Sequence, residues 1–253
     1  GIGLSTKSWL AWYFDNGGKE LYDRLWNEMG MNVKGFVMAS SGPEALGWFK
    51  EPIKNMDDFR KYRFRTPPGI PGQTYKDIGI ASVSLSGGDI LPALEKGTID
   101  AAEWCCPKPD SVFGFQKVLK NYYLQGLHQN VVNGDIYING DVYNSLTDHQ
   151  KYAMEVASEA MITRNITNRA VENGKALIDL TENHGVKLWD TPADYFTEYM
   201  NAAQATLKKN AASNAFFKEV YEHMTAHAKI VVPFIAQMET SDASIGTAFA
   251  SQQ

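Results

Sequence analysis

At 253 residues the chain is long enough to bury a substantial core in one or two domains. A hydrophobic fraction of 44% with 21% charged residues is that of an ordinary globular protein and excludes a disordered chain. The formal charge of −5, with no basic stripe, argues against nucleic acid as a partner, and the longest apolar runs, such as residues 230–236, are far too short to span a bilayer.

Taken in chain order, residues 8–28 carry apolar residues at helical spacing, with Gly17-Gly18 dividing them into two helices. Residues 33–40 read as a strand, and Ser40-Ser41-Gly42-Pro43 as a turn. Asp57-Asp58-Phe59 caps one helical turn before a basic strand at 62–66, which Pro67-Pro68-Gly69 stops. A helix over 72–78 and a strand over 81–85 follow.

The next unit, residues 85–104, is the most informative. Asp89 is the expected N-cap of a short helix, Pro92 falls in its first turn, and Gly97 supplies the left-handed exit. Thr98-Ile99-Asp100-Ala101-Ala102 then leads, as a short strand, to Glu103-Trp104. An acidic–aromatic pair at a strand end is how clefts of open α/β sheets are lined.

Downstream, residues 135–139 form a strand. Thr147 and Gln150 form a capping box for a long helix reaching about Asn183, bent near Gly174 and closed by His184-Gly185. Residues 186–189 are a strand, Thr191-Pro192 opens another helix with Thr191 as cap, and Ser213 or Asn214 starts the last. The tail from Ser241 reads as loose. Strands alternating with helices, and a helix-rich second half, indicate an α/β protein.

Several residues invite chemistry. Arg65 ends a strand and offers the planar fork that matches a carboxylate, although alternation puts Arg63 on the same face, Arg60 also competes, and a solvated basic strand fits equally well. Cys105 and Cys106 are adjacent and have no third cysteine, so a structural disulfide is not expected; a pair of small residues before Pro107 is the simpler reading beside a redox or soft-metal role. His223 and His227 have i, i+4 spacing but lack a third metal ligand. Asn165-Ile166-Thr167 matches a glycosylation acceptor inside a helix. Phosphate loops and the Gly-x-Ser-x-Gly elbow are absent from the sequence.

The run Gly87-Gly88-Asp89-Ile90, then residues 92–101, Glu103-Trp104 and Pro107, with Gly47-Trp48-Phe49 and Phe64-Arg65 upstream, resembles the solute-binding proteins of TRAP (tripartite ATP-independent periplasmic) transporters. It is similar to the branch that binds 2-oxo or 2-hydroxy carboxylates with a metal ion, over about residues 3–233. The resemblance implies a two-lobed fold: residues 1–40 in lobe I, 41–133 as lobe II with the ligand arginine and metal motif, and 134–253 returning to lobe I with a long spanning helix and C-terminal helices. Gly1-Ile2-Gly3-Leu4-Ser5 resembles a segment that follows a first βαβ portion of lobe I, which is therefore expected to be missing from this chain along with a signal peptide.

The resemblance also assigns roles. Arg65 clamps the ligand carboxylate, Glu103 gives its carboxylate and Trp104 its backbone carbonyl to a sodium or calcium ion, and Trp48 lies near the ligand. Oxygen donors suit such hard cations. Two positions depart from the pattern: Glu44 stands where a glutamine is usual, and Gln129 where a second acid is usual, as if acid and amide had exchanged places. His128 replaces an aromatic beside the site. The implied function is a periplasmic receptor, not an enzyme, delivering its ligand to a membrane permease, as a monomer or as a homodimer through residues 230–235. Two other readings stand beside it: a metal-assisted enzyme using Glu103 or Glu44 as base or Cys105 and His128 as a thiol pair, and a helical module without binding.

Overall fold

The computed structural model describes residues 2–252; Gly1, the first residue of the resembling N-terminal segment, lies outside them. Helices α1 (Thr6–Asp15) and α2 (Gly18–Glu28) open the chain, divided at Gly17-Gly18 as predicted. Strands β1 (Val33–Ser41) and β2 (Gly47–Phe49), a single turn α3 (Met56–Phe59), β3 (Arg63–Arg65), α4 (Ile70–Asp77) and β4 (Ala81–Val83) follow. Next come α5 (Gly87–Glu95), β5 (Ala101–Ala102), α6 (Pro107–Phe113), β6 (Asn121–Tyr123) and β7 (Val132–Asn139). The second half holds α7 (Gly140–Ser145), α8 (Asp148–Glu182), β8 (Lys187–Trp189), α9 (Ala193–Ser213) and α10 (Ala215–Ala250).

The strands form two sheets. Strands β1 and β7 pair antiparallel from Val33↔Asn139 to Ser41↔Val132. The other six run in the order β4-β3-β5-β2-β6-β8. Neighbours β4, β3 and β5 are parallel, as are β6 and β8, while β2 runs antiparallel to both β5 and β6. Because β2 alone is reversed, its N-terminal end lies on the same sheet edge as the C-terminal ends of the others. That edge receives the chain before β2 and after β3, β5 and β6.

Aromatic packing holds the larger sheet together. Phe49 stacks on Phe64 at 5.8 Å between centroids, and Phe59 and Tyr75 meet Phe64 edge-on at 5.0 and 5.2 Å. These rings, with Tyr195 and Tyr199 of α9, form one core; Trp48, Ile90, Phe115 and Tyr122 centre a second on the other face. A third core joins α1 and α2 to Val37 of β1. Helix α8 contributes Ile162 to this third core and Leu180 to the second. At 35 residues it is about 52 Å long, so it ties the two sheets together. It continues as helix through Gly174, and Thr147 with Gln150 forms the predicted capping box.

Four local expectations change. Helix α5 starts at Gly87, with Ser86 as N-cap; the Asp89 carboxylate instead takes the Ser86 hydroxyl, and Pro92 lies in the helix interior. The helix can begin early because Gly87 has no side chain: a Cβ there would sit 2.8 Å from the Trp104 ring. Gly97 does leave with φ +67°. Helix α9 starts after Pro192 without a Thr191 cap, because the Thr191 hydroxyl donates to the Gln125 carbonyl at 2.8 Å. Finally, the stretch from Ser241 is not loose but forms the last turns of α10.

Candidate functional site

The shared sheet edge gathers four polar side chains. Arg65 is the last residue of β3, Glu103 follows β5, Glu44 precedes β2, and His128 lies beyond β6. All four are buried. Backbone bonds fix the segments: the Glu44 N–H donates to the Gln129 carbonyl at 3.0 Å, Ala45 to Cys105 at 2.8 Å, and Glu103 to Arg65 at 3.2 Å. Gly47 permits the close approach, since a Cβ there would meet the Ala102 carbonyl at 2.6 Å and Glu103 Cβ at 3.0 Å. It also has φ +131°, which disfavours any other residue.

Arg65 is the expected cation of the site and is held on several sides. Its Nη1 donates to the Glu103 carbonyl at 2.9 Å and to Glu103 Oε1 at 2.6 Å. Nε and Nη2 both reach the Leu85 carbonyl, at 3.1 and 3.0 Å. The guanidinium lies over the Trp104 ring, 5.1 Å from its centroid, and Phe113 backs that ring at 4.7 Å. A guanidinium has five N–H donors, so Arg65 keeps one on Nη2 free of these bonds.

Glu44, Glu103 and His128 converge. His128 Nε2 is 3.3 Å from Glu103 Oε2 and 3.8 Å from Glu44 Oε2. One donor atom from each lies within 4.8 Å of the others, the only such group found among the described residues. Glu44 Oε2, Glu103 Oε2 and both His128 ring nitrogens are buried without a hydrogen-bond partner. Orphaned buried polar atoms are costly, so the three that converge, Glu44 Oε2, Glu103 Oε2 and His128 Nε2, suit a bound cation. Burial first, then the neighbouring Cys105 and Glu103, push the Glu44 carboxyl up to about 9. Without a positive partner this carboxyl holds its proton at neutral pH.

The other predicted residues fall into place around this centre. Gln129 meets Glu44 through its backbone carbonyl, while the adjacent His128 supplies the side chain that faces both glutamates. Trp48 is wholly buried; its single donor goes to Asp110 Oδ2 at 2.8 Å, and its ring stacks on Tyr122 at 4.0 Å. It therefore has no polar atom left for a ligand. Cys105 and Cys106 are free thiols with their sulfurs 3.0 Å apart, and Arg169 Nη2 is 2.9 Å from each. The His223–His227 pair is structural: His223 Nδ1 accepts from Trp12 at 2.9 Å, and His227 bonds Asn16 and the Ser8 carbonyl, tying α10 to α1.

Asp110 was passed over in the sequence. It is fully buried and accepts from Trp48, Tyr122 and the Cys105 N–H. Burial outweighs those three donors and holds its carboxyl at about 7. The available signal was an acid in the first turn of a helix opened by Pro107, which alone suggests only favourable helix-end electrostatics. Tyr75 was also missed: its ring packs 6.0 Å from His128, and its hydroxyl bonds that of Tyr195.

A mixed α/β sheet thus presents a buried arginine and a cluster of cation-suited donors at one strand edge. The profile of the bacterial extracellular solute-binding proteins, family 7, matches residues 4–214, and the chain belongs to that family. A monocarboxylate 2-oxoacid-binding periplasmic protein of Nostoc sp. is 33% identical over 235 residues, 90% of this chain; the chain spans 62% of that relative's length. A TRAP transporter solute-binding protein from Bordetella bronchiseptica, crystallised as a mixed-occupancy dimer with calcium and picolinate in one site, superposes with a TM-score of 0.92 at 28% identity. It covers all of this chain, which spans 74% of it. A periplasmic solute-binding protein from Colwellia psychrerythraea, solved with calcium and pyruvate, shares the fold at a TM-score of 0.86 and 24% identity, over 98% of this chain and 74% of that one. No helix among the described residues is long and apolar enough to cross a membrane.

Proposed function

We propose that the protein is a periplasmic receptor for a small 2-oxo or 2-hydroxy carboxylate, which it binds together with a cation and delivers to the membrane permease of a TRAP transporter. The observation that carries this reading is the juxtaposition at one sheet edge of the buried Arg65 with unpartnered atoms of Glu44, Glu103 and His128. Arg65 offers the ligand carboxylate its free Nη2 hydrogen, in a position set by Trp104 and the Leu85 carbonyl. Glu44, Glu103 and His128 hold the cation, whose charge draws in the ligand's 2-oxygen. Burial strengthens both interactions by excluding water. The 2-oxoacid-binding Nostoc relative and the calcium and picolinate of the Bordetella protein support the same reading.

The test is calorimetric titration of pyruvate, lactate and acetate into the purified protein, with and without added cations. The expected result is binding of pyruvate or lactate that strengthens with cation, is at least tenfold weaker for acetate, and is lost in Arg65→Ala. Equal binding of all three acids, or unchanged binding by Arg65→Ala, overturns the proposal.

A further inference from the structure

The donor set at the sheet edge contains a nitrogen. Sodium and calcium are hard cations that take oxygen ligands. Imidazole suits borderline metals such as zinc and cobalt, which bind nitrogen and carboxylate together. His128 is completely buried at its side chain, neither ring nitrogen has a hydrogen-bond partner, and Nε2 faces one carboxylate oxygen from each of Glu44 and Glu103. We propose that this site prefers a divalent transition-metal cation, of the zinc or cobalt type, to sodium or calcium, with His128 as the selecting ligand. The proposal rests on the receptor reading, in that the cation is the one that accompanies the carboxylate.

Spacing agrees with it, and charge narrows the choice to divalent ions. A tetrahedral ion with bonds of about 2.0–2.1 Å keeps its ligands about 3.3 Å apart. The observed separations of 3.3 and 3.8 Å from His128 Nε2 need only small closure. Charge separates divalent ions, calcium included, from sodium. Two glutamates and the Arg65 guanidinium leave one negative charge in a buried group; a divalent cation and a monocarboxylate ligand bring it to neutrality. Sodium leaves it negative, which is unfavourable where solvation is poor. Tyr75 packs beside the imidazole but bonds Tyr195, so it does not compete for His128.

The experiment is a cobalt(II) titration of EDTA-treated protein followed by visible absorption, with zinc, calcium and sodium as competitors, repeated on His128→Gln. One cobalt per chain is expected, displaced by zinc but by calcium only at about 100-fold higher concentration. His128→Gln, nearly isosteric and carrying an oxygen donor, is expected to weaken cobalt and zinc at least tenfold while keeping or improving calcium. Calcium competing on equal terms in the wild type overturns the inference without any variant, as does cobalt binding that His128→Gln leaves intact. An absence of any cation from the site also overturns it. Pyruvate binding is measured in the same samples: carboxylate binding without a metal preference sinks only this inference, whereas metal binding without any carboxylate sinks the receptor reading.

Discussion

The six-stranded sheet and the β1–β7 pair treat their side chains differently. In the larger sheet Phe49, Phe64, Tyr122 and Tyr123 are wholly buried, and helices or rings cover both faces. In the smaller one, β1 packs Phe36 and Val37 inward, but Ile136 and Tyr137 of β7 stay 42% and 59% exposed. Each large buried side chain contributes roughly 1.5–3 kcal/mol by leaving water, so the larger sheet is the rigid frame. The site uses both: Arg65 and Glu103 stand directly on the frame, while Glu44 comes at the end of the chain leaving β1. A binding edge held by one stiff sheet and completed from a less buried one is suited to rearrangement on ligand binding.

The largest effect expected from this contrast is at Phe64, next to Arg65. Phe64→Ala removes a ring packed against Phe49, Phe59 and Tyr75 and is expected to cost about 3–5 kcal/mol. Ile136→Ala on β7 is expected to cost about 1 kcal/mol or less, since its side chain is already half in water. Urea unfolding measures both. Similar costs at the two positions would mean that the sheets are equally stiff, and the contrast would fail.

Next comes Asp110, in the second core of the frame. Its carboxyl is held at about 7, against 3.8 in the unfolded chain. The folded state therefore binds the proton more tightly, and this contribution to stability is full below about pH 4 and lost as pH rises through 7. Acids with depressed values, such as Asp100 beside Arg63, pull the other way as pH falls. The informative quantity is thus the difference between wild type and Asp110→Asn. That difference is expected to shift by a few kcal/mol between pH 4 and 8. A flat difference would show that the bonds from Trp48, Tyr122 and Cys105 keep Asp110 ionised throughout.

Much of this architecture is legible in residue order, because it rests on local rules. The capping box at Thr147, the break at Gly17-Gly18 and the exit at Gly97 depend on neighbours within a few residues. Thr191 failed as a cap because a distant carbonyl, that of Gln125, took its hydroxyl. Asp89 failed because the two glycines before it let α5 start earlier, against the ring of Trp104. At the site, the family pattern pointed to Arg65, Glu103 and Glu44. It also pointed to the Trp104 carbonyl and Gln129 as metal ligands and to His128 beside the ligand, and the structure brings the His128 side chain to both glutamates. Only the three-dimensional course of the loop after β6 brings His128 to the two glutamates. Burial of Asp110 and the engagement of Trp48 are likewise tertiary facts with no local signature.

A smaller effect tests the joint between the two regions on the α10 side. His227 bonds the Ser8 carbonyl and Asn16 in a buried position. His227→Ala leaves both without that partner and is expected to cost about 1–3 kcal/mol, with carboxylate binding unchanged because the site lies elsewhere. A loss of ligand affinity larger than the loss of stability would show that α10 and α1 are coupled to the sheet edge.

The smallest effect is expected at Thr147, where α8 begins. The Thr147 hydroxyl accepts the Gln150 N–H, and the Gln150 side chain accepts from the Thr147 N–H and hydroxyl. Thr147→Ala should cost about 1 kcal/mol, Gln150→Ala less, and the double variant less than their sum, because the two sets of bonds are reciprocal. This cap lies far along the helix from Leu180, which packs in the core of the larger sheet. If the cost appears in global unfolding, α8 behaves as one cooperative rod and links the stability of both sheets. If hydrogen exchange shows only the first turn loosened, with global stability unchanged, the helix is secured by Ile162 and Leu180 rather than by its end. The coupling between the rigid frame and the less buried sheet would then run through that buried stretch of α8 alone.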